Sequence, residues 1–189
     1  RDVERSRGLG DVYKRQKLQL RKEIAHFNAE QLREMLLDIY DARREAKEYL
    51  DFFLNPDVDK LTEKYTKEID KEFDRIKRRV ISPRWTRVRK SLKDYASFKP
   101  GYDNVLAMML HALRMACDNL RDTNVAPTLL TGTKRLITDT LKYGDTHCLA
   151  DTTMPAVLAA IELIPRTFRH GREARKELQD TVSGYSSKI

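Results

Sequence analysis

No stretch of this chain holds 18 consecutive apolar residues, so no segment is long enough to cross a bilayer as a helix. Cysteine is scarce. Cys117 and Cys148 are the only two, too few for a disulfide framework, which points to a reducing, cytoplasmic setting. The opening residues are charged and lack the apolar centre of a secretory signal. No run alternates apolar and polar residues for long enough to make a strand. Also missing are a glycine-rich phosphate loop, a nucleophile elbow, an HExxH helix and a second Cys/His pair at metal-ligand spacing. These absences predict an all-α protein that is not an enzyme, holds no metal or cofactor and has no membrane partner.

What is present suits that reading. The 189 residues are 40% hydrophobic and 35% charged, as expected of helices with narrow apolar seams and broad solvated faces. The length fits one domain, a bundle or stack of about six to eight helices. Its parts are expected to be a tail over 1–16, a helical domain over 17–165 and a polar C-terminal tail with a weak helix over 166–189. Arg1 to Gln16 has no helical apolar repeat, and GLGDVYKRQ is similar to translated adapter read-through in reading frames assembled from metagenomic reads. No structural role is expected of it.

The organising feature is the stretch around Leu32 to Leu54. Leu32, Ile39, Ala46 and Phe53 fall seven apart, Met35, Ala42 and Tyr49 take the intervening positions, and Leu36 and Leu50 widen the seam. The pattern predicts one long amphipathic helix over about 29–54, with Ile39 buried at mid-seam. Asn28 followed by Gln31 reads as a capping box at its start. Asn55-Pro56 ends it, and Asn55 is expected to cap the next helix.

Further helices follow from the same rules. One over about 57–79 carries Leu61, Tyr65, Ile69, Phe73 and Ile76. The next, after Ser82-Pro83, carries Trp85, Val88, Leu92 and Tyr95. A third, capped by Asp103, is lined by Leu106, Met109, Leu110, Leu113, Cys117 and Leu120 and should be the most buried. Pro127 opens another that Gly144 should close, and Met154-Pro155 introduces a short one over 156–164. A weak helix over 172–180 completes the chain.

The spine and the corner after it (EAKEYLDFFLNPDVDKLTEKY) resemble an uncharacterised family of small all-helical proteins from Bacteroides-like bacteria. The matching features are Lys47, Tyr49, Asp51, Phe53, Asn55-Pro56, Leu61, Lys64 and Tyr65, then the basic segment Arg84 to Lys93 and the apolar helix after Asp103. The likeness covers about Leu18 to Leu120. It fades beyond Asn124, where the family is acidic and aromatic and this chain reads TNVAPTLLTGTK. The resemblance implies a helical fold and a bacterial cytoplasmic origin, and it implies no activity.

Charge supplies the best functional candidate. The net charge of +8 is concentrated between Lys71 and Lys99, and the rest of the chain balances. Arg78 and Arg79 fall at the end of one predicted helix, and Arg84, Arg87, Arg89, Lys90 and Lys93 decorate the next. A basic stripe over 75–93 could meet phosphates or an acidic partner. It could equally be a solvated face, with cations offsetting a helix dipole and Lys90 pairing with Asp94. Trp85 and Tyr95 belong to the apolar face, so they are read as core. His147-Cys148, flanked by Asp145 and Asp151, holds the residue types of a nucleophile and its base, but neighbouring side chains diverge and no site is expected there. Asp118 and Asp122 read as turn chemistry. What remains is an interaction or scaffold module that meets an unknown protein partner or a second copy, with nucleic-acid binding through 75–93 as the alternative.

Overall fold

The computed structural model describes residues 15–77, 80–120, 127–165 and 169–187. Arg1 to Lys14, most of the expected tail, lie outside them. The fold is all-α, and the described residues fall into two compact units, 1–56 and 57–189, where the length had suggested one domain.

In the first unit, α1 covers 15–24 and α2 is Ala29–Ala42. The capping box forms as expected. Asn28 accepts from the Gln31 N–H at 2.9 Å, and the Gln31 side chain accepts from the Asn28 N–H at 3.0 Å. The single long helix over 29–54 does not form. The chain leaves helical geometry at Arg43 (φ −134°, ψ 114°), and α3, Arg44–Leu54, follows. Neither proline nor glycine lies at this break. The break lets α3 fold back: Tyr40 Oη donates to Asp51 Oδ1 at 2.8 Å, and the Lys47 ammonium lies 5.2 Å from the Tyr40 ring. On a straight helix the Cα atoms of residues eleven apart would lie about 16 Å from each other. That hydrogen bond, with the negative charge of Asp51, raises the Tyr40 pKa above its ordinary value. Folding back divides the seam. Met35, Ala46 and Leu50 become half-buried, while Leu32, Leu36 and Phe53 stay exposed. Ile39, expected in the core, is 41% exposed.

The second unit opens with α4, Val58–Phe73. Its cap is Asp57, which accepts from the Lys60 N–H at 2.9 Å, and not Asn55. The helix stops at Phe73 instead of running to Arg79. A small antiparallel ribbon follows, β1 (Ile76–Lys77) against β2 (Val80–Ile81), with Ile76 opposite Ile81 and Lys77 opposite Val80. Three of these four residues are β-branched, which favours extended backbone over a further helical turn. The ribbon is closed at its base by Arg75 and Ser82, whose backbones bond at 3.0 Å and whose Arg75 guanidinium donates to the Ser82 carbonyl.

Helix α5, Trp85–Ser97, turns Val88, Leu92 and Tyr95 inward. Gly101, at φ 111°, then makes the turn into α6, Tyr102–Asn119, and takes the N-cap position expected of Asp103. Helix α6 buries nine residues, among them Leu106, Met109, Leu113 and Cys117. It is the most buried helix, as its composition predicts, and it touches α4, α5, α7 and α8, so it is the axis of this unit.

Helix α7 is Pro127–Thr146. Gly144 lies inside it because a Cβ there would sit 2.3 Å from Thr153 Oγ1, so the glycine permits the approach of α8 instead of ending the helix. The buried hydroxyls of Thr133 and Thr140 donate to Leu129 and Leu136 carbonyls of the same helix, each at 2.8 Å. This satisfies polar groups that would otherwise be costly to bury. Helix α8, Ala150–Glu162, starts earlier than expected and contains Pro155. Helix α9, Arg169–Ser186, is no weak tail: Ala174, Arg175, Leu178 and Val182 are buried. The Arg175 guanidinium donates to the Ile164 carbonyl at 3.2 Å and pairs with Glu162, placing a cation at the C-terminal end of α8.

Candidate functional site

The basic corner is built from the end of α4, the ribbon and α5. Arg78 and Arg79 lie outside the described residues. Of the rest, Arg84 is not available to a partner. Its guanidinium clasps Glu72 in a two-pronged ion pair, Nε to Oε2 at 2.8 Å and Nη2 to Oε1 at 2.5 Å. Glu72 lies on the inward side of α4 and is 6% exposed. Its hydrogen bonds from Arg84 hold the carboxyl below its usual range despite the opposing effect of burial. Arg87 leans on the same carboxylate at 3.8 Å. Two of the predicted phosphate contacts therefore serve one buried acid, which needs them.

Arg89, Lys90 and Lys93 have no ion-pair partner among the described residues, so the Lys90–Asp94 pair that the spacing allows does not form there. Lys90 and Lys93 are exposed and Arg89 is half-buried. Trp85 is half-buried, turned toward the core side of α5 as expected. Its ring meets Phe73 edge-on with centroids 5.7 Å apart and occupies the space that a Cβ on Gly132 would take. Tyr95 is fully buried and shares a hydrogen bond of 2.8 Å with Thr62. No exposed aromatic residue belongs to the stripe.

Sequence reasoning missed Glu72, and a signal was there to be found. It lies three residues after Ile69 and seven after Tyr65, within the apolar stripe of α4, and a carboxylate in such a position needs a cation from a neighbouring element.

His147 and Cys148 follow the C-terminal end of α7. The imidazole stacks on Tyr102 with centroids 4.1 Å apart and tilts against Tyr143 at 4.3 Å. This contact occupies the ring in packing. Cys148 is exposed at φ 58°, and Cys117 is buried, its thiol pushed up to about 12 by desolvation. A cavity of about 370 Å³ opens nearby, lined by Leu141, Asp145, Asp151, Thr153, Met154 and Pro155 among others. Asp145 accepts a hydrogen bond from Tyr185, which raises that phenol to about 12, so the hydroxyl acts as a donor and not as a base. Asp118 ends α6 and Asp122 lies outside the described residues. Among the described residues no group of three His, Cys, Asp or Glu side chains could hold a metal ion, and no helix is long and apolar enough to cross a membrane.

The first unit presents a third surface. Among its described residues, 15–56, no side chain is buried. Leu20, Phe27, Leu32, Leu36, Ile39 and Phe53, which helical spacing places on apolar faces, are all at least 38% exposed.

Residues 15–132 match the model of DUF6155, a family of unknown function. The chain belongs to that family. The DUF6155 match takes in the first unit, the basic corner, α6 and the opening of α7 as far as Gly132. It leaves out the Asp145 cavity, α8 and α9. No curated protein and no solved structure matches the chain.

Proposed function

We propose that this chain is a non-enzymatic interaction module and that α1–α3 are its binding surface. One observation carries the reading: an amphipathic unit with heptad spacing buries none of its described side chains. Large apolar side chains left exposed at helical spacing mark a surface that meets a partner. Both cysteines are free, in keeping with a reducing compartment. The basic corner supports nucleic-acid binding less well. With Arg84 and Arg87 engaged by Glu72, Arg89, Lys90 and Lys93 are the described residues of the α5 stripe left to meet phosphates, and together they would contribute about 2.7 to the salt slope on duplex DNA.

Affinity recovery from the host separates the two readings when one arm is treated with nuclease. Proteins recovered with the wild type should be lost with Leu36→Glu/Phe53→Glu and unaffected by nuclease. Recovery that disappears with nuclease, or with charge reversal at Lys90 and Lys93, would replace the module with a nucleic-acid binder.

A further inference from the structure

The reading above requires a partner, and the same surface indicates its chemistry. Residues 15–56 are the described part of a compact unit over 1–56, a size at which a fold gains from cross-links, metals or another chain. Both cysteines lie elsewhere, at 117 and 148, so no disulfide braces this unit, and a second chain is a device that would. The apolar seam fits its own kind. Leu32, Leu36 and Ile39 repeat at spacings of four and three along α2, and an apolar stripe of that spacing supplies both the knobs and the holes that receive them.

Charge points the same way. Helix α1 carries Arg15, Lys17, Arg21 and Lys22 against one acid, Glu23, whereas α2 carries Glu30, Glu34, Asp38 and Asp41 against one base, Arg33. Over 15–56, basic and acidic residues are equal in number, so no net repulsion opposes pairing. A two-fold interface requires each patch to meet its complement on the other copy. Laying α1 of one chain along α2 of the other meets that requirement twice.

The area is sufficient. Leu20, Phe27, Leu32, Leu36, Ile39 and Phe53, at 38–70% exposure, offer on the order of 600 Å² of side chain per copy, and flanking polar atoms bring this near the ~800 Å² per partner of a standard interface. We propose that α1–α3 are a self-association element, through which two copies pair about a two-fold axis with α1 of each against α2 of the other. This proposal rests on the interaction reading and names its partner.

The test uses the full chain in sedimentation velocity from about 1 to 100 µM, with hydrogen exchange of residues 29–54 measured over the same range. A reversible dimer is expected, with exchange in α2 and α3 slowing as concentration rises. Leu36→Glu/Phe53→Glu should weaken it at least tenfold. Arg21→Glu/Lys22→Glu should weaken it too, and mixing that variant with Glu34→Lys/Asp38→Lys should restore a mixed dimer. A chain that stays monomeric while residues 29–54 exchange fast overturns self-association and leaves the interaction reading intact. A monomer protected there at every dilution overturns both. A dimer indifferent to these variants shows pairing through another surface and overturns the proposal.

Discussion

Leu113→Ala should lower the unfolding free energy by roughly 2–5 kcal/mol. Leu113 is fully buried in α6, the helix that touches α4, α5, α7 and α8. Removing three of its carbons forfeits transfer free energy, and the surrounding helices cannot close on the void without moving one another. Ile39→Ala removes comparable apolar bulk from α2, where the side chain is 41% exposed, and should cost under ~1 kcal/mol at concentrations too low for association. Chemical denaturation of the two variants side by side checks this. Equal losses would show that the heptad stretch is core after all.

Gly132→Ala should be the second most damaging of the changes considered, although alanine is the better helix former by up to ~1 kcal/mol. A Cβ at this position would lie 1.9 Å from Trp85 Cε2 and 2.2 Å from Nε1. The indole is a rigid plate held edge-on by Phe73, so it cannot yield as the end of a flexible chain would. Relief requires α5 and α7 to part or the indole to turn out, at a net cost of roughly 1–3 kcal/mol. The variant should show a lower denaturation midpoint and red-shifted tryptophan emission. Adding Trp85→Leu should recover part of the loss, since the two residues couple by contact. Gly132→Ala at wild-type stability would mean that the indole does not lie on α7.

Local chemistry was legible in the sequence. The Asn28–Gln31 cap, the inward face of α5 and the burial of α6 all follow from side-chain types at fixed helical spacing. Non-local geometry was not. A heptad seam specifies a face, but not whether the helix bearing it is continuous, so the break at Arg43 left no mark in Ala42–Arg44. Gly144 carried a stop signal, but close approach of Thr153 required a glycine inside the helix. Three β-branched residues around Arg78 and Arg79 did hint at the ribbon, and their spacing was still compatible with helix. The C-terminal helix looked weak because Arg175, its buried anchor, scores as polar until the α8 carbonyls that receive it are known. At the candidate site, the basic stripe was visible as composition, but the clasp of Glu72 on Arg84 joins residues twelve apart across a ribbon.

On the proposed reading, the apolar face of α1–α3 serves association while the fold of residues 57–189 rests on α6. Trp85 is the only tryptophan in the chain, so its fluorescence reports the second unit alone. Denaturant unfolding followed at Trp85, in wild type and in Leu36→Glu/Phe53→Glu at submicromolar concentration, is the most direct test. The unfolding free energies should coincide to within about 0.5 kcal/mol, as expected of substitutions at exposed positions. A loss above about 2 kcal/mol at Trp85 would rule this reading out, because the face would then belong to the core of the chain itself.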